Sequence, residues 1–475
     1  MATLPDMTLA ALSAAYAAGG LRPSQVVDAI LARIATQTGD NVWINRVPEA
    51  ALRARAGELD RLQGAGKAAS LPLFGIPFAI KDNIDLADVP TTAACPDFAY
   101  VPKRSAAAVE RLEAAGAIAV GKTNLDQFAT GLVGVRSPYG TPRNPFAADY
   151  IPGGSSSGSA VAVAGGAVSF ALGTDTAGSG RVPAGFNNIV GIKPSLGLVS
   201  TRGVVPACRS LDCVSVFALT VADGMSVLAV MAGTDAEDPY SRTASHGLQP
   251  LAPAQDFDFA IPADPTFFGD SDYERLFGEA IARLQSLGGR LRAIDFAPFA
   301  AAAEILYSDA GVAERVAAVG DFLRDHPRSV LPVTRDIIER GRKASAADVY
   351  RAREKLAALR ARAMASLDDT RLLVVPTAPT IYRVAEVERD PVALNSRLGT
   401  YTNFVNPMDL SAISVPSGFT QRGLPFGITL IARAFEEVPL AAVASAFERA
   451  AALPLGAAGI DQTTASAVSP TRPAT

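Results

Sequence analysis

The most informative part of the chain runs from Gly153 to Pro194 and reads GGSSSGSAVAVAGGAVSFALGTDTAGSGRVPAGFNNIVGIKP. It is apolar enough for a protein core, yet it carries clusters of serine and glycine that a core does not need. The Ala- and Gly-rich segment 157–168 predicts a helix pressed closely against its neighbours, and VSFALGTD predicts a buried strand behind it. One helix and one strand therefore separate two serine-bearing loops, at Ser155 and at Ser179.

The rest of the chain alternates between strand-like and helix-like patterns. LFGIPFAIK predicts a strand, SAAAVERLEAAG an amphipathic helix and AIAVGKTN a second strand, an order typical of α/β folds. Helical spacing marks residues 9–62, 273–287 and 344–366, and late strands are predicted at RLLVVPT and GITLIA. We expect one α/β domain with a mostly parallel or mixed sheet over residues 1–460, with a core at about 71–224 and helical excursions at about 255–370. Residues 461–475 are expected to be a disordered tail or a linker to a further domain.

The composition narrows the possible functions. The 475 residues are 49% hydrophobic and 19% charged, as in globular proteins, and the net charge is −4. Nucleic-acid binding is not expected, because phosphate contacts need clustered lysine and arginine, and no segment has the pattern of a membrane anchor or a secretory signal. Three cysteines are too few for a disulfide framework, which favours a reducing cytoplasm. Chemistry on a small molecule is the remaining expectation.

The serines and glycines do not match nucleotide-binding loops. A phosphate-binding loop needs a lysine directly after its last glycine, and no lysine follows Gly158. A dinucleotide fingerprint begins directly after a strand, whereas residues 149–152, DYIP, do not form a convincing strand pattern. The stretch is therefore better interpreted as the frame of a nucleophilic serine.

A nucleophilic serine needs a base, and histidine, the usual base, is scarce in this chain. His246 and His326 both lie in polar segments that predict solvated loop or helix-end positions. Lys81 ends the apolar run LFGIPFAIK, where burial would disfavour its charged form and lower its pKa toward neutrality. Lys81 is the candidate base, and the alternative is an ordinary surface lysine at the end of a strand.

Taken together, these segments resemble the amidase signature family. The resemblance extends over about 72–224 and more weakly to 432, and it is carried by GIPFAIKDNID, GKTNLDQFATG, GTPRNPF, GGSSSGSA and LGTDTAGSGRVPAGFNNIVGIKPSLGLVSTRGVVP. It implies the family's fold, a central mixed twisted sheet covered by helices on both faces, and an amidohydrolase that uses neither cofactor nor metal. Matching the motifs residue by residue, it implies a catalytic group of Ser179, Ser155 on a cis peptide, and Lys81.

In the chemistry that this resemblance implies, Ser179 is the nucleophile and Ser155 passes its proton to neutral Lys81. The glycine-rich loop that presents the nucleophile could also direct successive backbone amides at a developing oxyanion. The candidate oxyanion-hole residues are Thr176, Ala177, Gly178 and Ser179.

Five neighbouring residues are expected to play supporting parts. Ser156 and Ser157 predict a helix cap and a turn. Asp175 and Arg181 are expected to fix the loop around the nucleophile by an ion pair or by backbone hydrogen bonds. Gly131, which closes GKTNLDQFATG, is a candidate for lining the substrate pocket as the matching loop of the family does, and the alternative is a plain turn glycine.

Within the family, three features resemble the branch that hydrolyses allophanate, a carboxylated urea. They are STRGVVPACRSLDCVSVFA at 200–218, AEILYSDAGVAERVAA with Tyr307 and Arg315, and the polar tail. On one continuous helix these two side chains would lie about 80° apart, and Gly311 could break the helix, yet both could reach one pocket. An arginine fork and a phenol suit a carboxylate, so both are candidate substrate-binding residues. The alternative is a surface ion pair of Arg315 with Glu314 or Asp309.

The segment ACRSLDC contains two cysteines that could indicate a metal site or a disulfide. A zinc site would need two further ligands, so Cys208 and Cys213 are interpreted as packing residues near the pocket. Arg209 and Asp212 between them are expected to be structural, with a pocket role left open.

Other functions remain compatible with these motifs. A broad-specificity amidase would share the catalytic group but have a different pocket, and a glutaminase component of an RNA-dependent amidotransferase would release ammonia inside a complex. A non-catalytic scaffold is disfavoured, because all three predicted catalytic residues are present. The resemblance also implies a homodimer and a link to the degradation of urea and cyanuric acid.

Overall fold

The computed structural model describes residues 6–36, 39–244, 248, 256–367, 370 and 372–457. The predicted tail at 461–475 and His246 lie outside the described residues. The strands are β1 (Trp43–Arg46), β2 (Pro77–Lys81), β3 (Ile118–Thr123), β4 (Phe170–Asp175), β5 (Val190–Lys193), β6 (Cys213–Ala218), β7 (Phe257–Pro262), β8 (Gly289–Ile294), β9 (Leu372–Pro376), β10 (Leu410–Phe419) and β11 (Pro425–Arg433). The helices are α1 (Leu9–Ala17), α2 (Pro23–Thr36), α3 (Glu49–Gly64), α4 (Ala107–Ala114), α5 (Ser157–Ala164), α6 (Val182–Phe186), α7 (Val221–Met231), α8 (Ser271–Ser286), α9 (Ala297–Leu306), α10 (Asp309–Asp325), α11 (Pro332–Glu339), α12 (Ala346–Ser366), α13 (Val384–Arg389), α14 (Ala393–Leu398) and α15 (Glu437–Ala451). Short 3₁₀ turns lie at Ala68–Ser70, Pro96–Phe98, Gln127–Ala129 and Arg340–Lys343.

One mixed sheet of eleven strands runs through the described part of the chain, in the order β1-β3-β2-β4-β6-β5-β10-β11-β9-β7-β8. The neighbours β3, β2 and β4 are parallel, and so are β9, β7 and β8. The other neighbouring pairs are antiparallel. The predicted α/β fold with a mixed sheet is confirmed.

Both faces of this sheet are buried at β9. In β9, Leu372 and Val374 belong to one hydrophobic cluster, whereas Leu373 and Val375 belong to another. Because successive side chains of a strand point to opposite faces, the two clusters lie on opposite sides of the sheet. The helices therefore cover it on both sides, as the family resemblance implied.

The range 255–370, predicted to hold helical excursions, contains the helices α8 to α12 and also the strands β7 and β8. They are parallel and enclose α8, which makes a strand–helix–strand unit at the edge of the sheet. The edge strand β8 exposes the four residues between Gly289 and Ile294, two of them arginines. A strand with so much polar surface has no apolar run, and only its pairing with β7 identifies it.

The predicted helix and strand between the two serines are α5 and β4, and both are completely buried. Gly158 allows the close approach that the small residues predicted, because a Cβ on it would lie 2.6 Å from the Asn124 nitrogen and 2.6 Å from the Val42 oxygen. None of the helices in the described ranges combines the length and apolar character needed to traverse a bilayer.

Candidate active site

Lys81 is the last residue of β2, and its side chain is fully buried. Its Nζ donates to Ser155 Oγ and to Thr174 Oγ1, both at 2.7 Å. Burial lowers the pKa of Lys81 to about 7, although Asp126, Asp212 and Asp175 oppose this shift. The alternative of a surface lysine is therefore wrong, and the amine can be neutral near neutral pH.

Ser155, which accepts a hydrogen bond from Lys81, lies in the turn that leads into α5. The peptide bond between Gly154 and Ser155 is cis, as the resemblance implied. The carbonyl oxygen of Ser155 accepts the Asp126 amide at 3.0 Å, and the Gly154 amide donates to the Leu132 oxygen at 2.9 Å. The loop 126–134 therefore holds the main chain of this turn on both sides of the cis bond.

The two serines after Ser155 do not behave as the cap and turn that the sequence predicted. Ser156 stands at the N-cap position of α5 but makes no side-chain cap hydrogen bond. Its hydroxyl instead joins the main chain of Thr174, donating to the oxygen at 3.2 Å and accepting from the nitrogen at 3.3 Å. The Ser157 hydroxyl is enclosed without a hydrogen-bond partner among the described residues. Ser156 thus ties the Ser155 turn to β4, next to the partner of Lys81.

Ser179 lies in the loop between β4 and α6 and is 3% exposed. Neither its hydroxyl nor the four amides predicted for the oxyanion hole, those of Thr176, Ala177, Gly178 and Ser179, donates to another described residue. Gly178 has φ +143°, and a Cβ there would lie 2.4 Å from Thr402 Oγ1, so only glycine fits. The loop keeps four successive N–H groups available in a buried setting.

The structure does not join the two predicted catalytic serines directly. Lys81 and Ser155 are hydrogen-bonded, whereas no hydrogen bond links Ser155 and Ser179 in the described part of the chain. Thr174 lies in β4, two residues before the Ser179 loop, and accepts the second hydrogen bond of Lys81. It was not singled out from the sequence. Its place on a buried strand looks like ordinary core patterning, so no sequence signal marks it.

A buried ion pair anchors both ends of the Ser179 loop. Arg181 donates to Asp175 through Nε and Nη2, each at 2.9 Å, and the Gly180 amide donates to the same carboxylate at 3.0 Å. Burial by itself raises the pKa of Asp175, but the Arg181 guanidinium outweighs it and holds the pKa below its ordinary value. The predicted loop-fixing role of the pair is confirmed.

Asp212 holds the first residue of this loop from the other side. Its carboxylate accepts the Thr176 hydroxyl and the amides of Ala207 and Cys208. Burial raises the pKa of Asp212 to about 6, and its hydrogen bonds oppose the shift. Asp212 is therefore structural, as expected, but it acts on the predicted oxyanion loop itself.

The two candidate substrate-binding residues lie on different helices rather than on one. Tyr307 caps the C-terminus of α9, and Ser308 caps the N-terminus of α10. The expectation that Gly311 could break the helix is wrong, because Gly311 lies inside α10 and its amide donates to the Ser308 hydroxyl. The chain turns at 307–308, yet Tyr307 and Arg315 remain close enough for each to act on the pKa of the other.

Arg315 is 2% exposed, and its Nη1 donates to Thr130 Oγ1 at 2.8 Å. The alternative of a surface ion pair is wrong, since Glu314 accepts from Ser210 and Asp309 accepts from Arg340. Within the described residues no carboxylate forms an ion pair with Arg315. A buried guanidinium without an acidic partner suits an anionic ligand.

Gly131 follows Thr130 and lies against the Asp126 carboxylate. A Cβ on Gly131 would lie 2.5 Å from Asp126 Oδ2 and 3.2 Å from the Arg136 side chain. Asp126 accepts the amides of Val133, Gly134 and Arg136, while its own amide donates to Ser155. The loop that touches Arg315 is therefore continuous with the loop that holds the cis peptide.

The remaining predicted residues lie as follows. Cys208 and Cys213 are buried free thiols, consistent with packing. Arg209 lines a surface cavity of about 250 Å³ with Tyr240 and Arg242. His326 is exposed at the C-terminus of α10, the helix-end position that the sequence predicted.

Comparison with known proteins places these features in a family. The family model described as Amidase matches residues 25–440, which is most of the chain. The chain belongs to the amidase family. The match includes both serine loops, Lys81 and the α9–α10 region.

Individual members of the amidase family extend this finding. The chain is 46% identical over 416 residues to urea amidolyase of Lachancea kluyveri, covering 87% of this chain but only 22% of that protein. It resembles the solved structure of Kluyveromyces lactis allophanate hydrolase with a TM-score of 0.88 and 42% identity, over 94% of this chain and 73% of that one. It is also 35% identical to a component of the glutamyl-tRNA(Gln) amidotransferase of Chloroflexus aurantiacus, over 94% of this chain and 97% of the relative.

Proposed function

We propose that this chain is an amidohydrolase that releases ammonia from allophanate through an acyl-enzyme on Ser179. The observation that carries the chemistry is the 2.7 Å hydrogen bond from fully buried Lys81 to Ser155 on its cis peptide. A neutral lysine can accept the proton that a serine hydroxyl must lose to become nucleophilic. Resemblance to the allophanate hydrolase of Kluyveromyces lactis supports the choice of amide.

In the proposed first step, Ser179 Oγ attacks the terminal amide carbon of allophanate while its proton passes through Ser155 to Lys81. The free amides of the loop from Thr176 to Ser179 stabilise the oxyanion, at about 3–4 kcal/mol of barrier for one such donor. The leaving nitrogen takes the proton back through Ser155 and departs as ammonia. The step requires Ser179 Oγ to approach Ser155 Oγ when substrate binds, because catalytic hydrogen bonds commonly tighten in the substrate complex.

In the second step, water attacks the acyl-enzyme and loses its proton to the same serine and lysine. The product, a dicarboxylated amine, then loses carbon dioxide. Arg315 and Tyr307 are proposed to hold the substrate carboxylate, with Gly131 lining the pocket next to Thr130. The buried guanidinium without an acidic partner supports this assignment.

Further parts of the proposal depend on the resemblance alone. We propose a homodimer in the cytoplasm that takes part in nitrogen release from urea or cyanuric acid and uses neither cofactor nor metal. The chain spans 22% of the length of the two urea amidolyases that it matches, so their complete activity is not transferred to it.

Ammonia release by the purified chain tests the proposal. We expect activity on allophanate that exceeds activity on biuret, malonamate, a neutral amide and glutamine. Ser179→Ala should reduce turnover by at least about 1,000-fold with an unchanged melting temperature, whereas Ser226→Ala, on the exposed face of α7, should change neither. Substantial residual turnover in Ser179→Ala would refute the nucleophile, and a preference for glutamine would favour the amidotransferase component instead.

A further inference from the structure

A second buried guanidinium lies beside the proposed carboxylate site. Arg136 is 3% exposed and follows the loop that carries Thr130 and Gly131. Its Nη1 donates to the Thr130 main-chain oxygen at 2.8 Å, and its Nη2 donates to the Pro391 oxygen. Its Nε is enclosed without a partner among the described residues. Because Arg315 donates to the Thr130 hydroxyl, the two guanidiniums meet at one residue.

The acids of this region are occupied elsewhere. Asp126 accepts three backbone amides, and Asp212 accepts two amides and the Thr176 hydroxyl. No ion pair between described residues includes either Arg136 or Arg315. The positive charges of Arg136 and Arg315 are therefore offset only by carboxylates that lie beyond ion-pair distance.

Two like charges close together in a buried region repel each other, and an anion between them relieves this repulsion. Burial lowers the pKa of Arg136; Asp126 opposes that shift, and Arg315 adds to it. Arg315 is thus near enough to act on Arg136 electrostatically. Tyr307 also interacts electrostatically with both arginines, and its hydroxyl has no hydrogen-bond partner in the described ranges.

We infer that Arg136 is a second specificity-determining residue of the carboxylate site, which makes the pocket select small amides that carry a carboxylate. It acts by adding positive charge at Thr130 and by fixing the main chain of Thr130 that Gly131 continues. This inference rests on the proposed function, since it concerns the same pocket. It does not assign Arg136 a part in proton transfer.

The test compares allophanate with a neutral amide in charge-removing and charge-retaining variants. Arg136→Gln is expected to raise KM for allophanate about tenfold or more, and KM for the neutral amide less than about threefold, with little change in kcat for either. The KM of Arg136→Lys for allophanate should lie between those of Arg136→Gln and the wild type, because lysine keeps the positive charge but lacks the guanidinium fork.

Arg111→Gln is the matched control for the hydrogen bonds that Arg136 donates to main-chain oxygens. Arg111 also donates to main-chain carbonyls, those of Met231, Gly233 and Thr234, but it lies outside the proposed site. Its loss should lower stability without changing the ratio of the two KM values. An equal rise of both KM values in Arg136→Gln would make Arg136 a brace only and overturn the inference.

Arg315→Gln separates failure of this inference from failure of the proposed function. If Arg315→Gln removes the preference for allophanate and Arg136→Gln does not, the inference alone fails. If the wild type shows no preference for a carboxylate at all, the proposed function fails with it.

Discussion

At the scale of single residues, Lys81 shows how position changes chemistry. Its side chain is that of any lysine, but at the end of β2 it is buried away from water and hydrogen-bonded to two hydroxyl groups. Desolvation then makes the neutral form available at a pH where an exposed lysine would be charged. The scarcity of histidine in the sequence pointed to this residue, and burial explains why it is suitable.

The proposed role of Lys81 predicts a pH dependence. Below pH about 7 Lys81 becomes protonated and cannot accept the proton, so kcat/KM should rise with pH through that value. Lys81→Arg keeps a permanent cation and should lower kcat/KM by at least about 100-fold, while exposed Lys103→Arg should behave as wild type. Initial rates of ammonia release from pH 5 to 9 measure both, and a wild-type profile in Lys81→Arg would exclude Lys81 as the base.

At the scale of elements, the loop between β4 and α6 holds the proposed nucleophile, Ser179, in a buried position. Its ends are held by Asp175 and Arg181, and its first residue is held by Asp212. Because side chains carry these constraints, the amides of Thr176, Ala177, Gly178 and Ser179 stay free, and the Gly180 amide alone binds the Asp175 carboxylate. This arrangement allows the loop to be rigid without using the four amides proposed for the oxyanion hole.

Removing one member of the buried pair should therefore damage the fold. Asp175→Asn leaves the Arg181 guanidinium buried without a counter-charge, and the free energy of unfolding is expected to fall by about 3–5 kcal/mol. Asp258→Asn breaks an exposed pair with Arg290 and should leave the free energy of unfolding almost unchanged. Urea unfolding of the two variants measures the difference, and similar small losses in both would contradict the anchoring role.

At the scale of the whole molecule, the sheet brings together residues far apart in the chain. Lys81, Ser155 and Ser179 lie around the neighbouring strands β2 and β4, and Arg315 joins them from α10. The helix α15, the last one in the described part of the chain, packs against the start of α7, where Glu448 accepts the Val221 amide at 3.0 Å. Stability therefore depends on contacts between distant parts of the sequence.

The contact between α15 and α7 predicts a pH dependence of stability. Burial, supported by nearby Asp223, raises the pKa of Glu448 to about 7 from an ordinary value of 4.5. The folded state then binds the proton more tightly than the unfolded state, so this contribution is complete below pH 4.5 and is lost as pH rises to about 7. Glu448→Gln should flatten the fall in unfolding free energy over that range, and exposed Glu58→Gln should not. Urea titrations at pH 4.5 and 7.5 test it, and an unchanged slope in Glu448→Gln would contradict this prediction.

The sequence by itself determined the α/β class and the strands and helices around the two serine loops, because apolar periodicity is a local property. The apolar run before Lys81 and the scarcity of histidine indicated the candidate base, and the resemblance to the amidase signature family implied Ser155 and Ser179. The sequence missed β8, whose polar surface conceals a strand, and it could not place Arg315. Thr174 and Arg136 became visible only in the tertiary structure, since a threonine and an arginine have no distinctive spacing, and only the structure showed that Asp212 holds Thr176. Their roles come from burial and from partners distant in the chain. Only the folded structure determines which charged groups are desolvated and which of them form pairs.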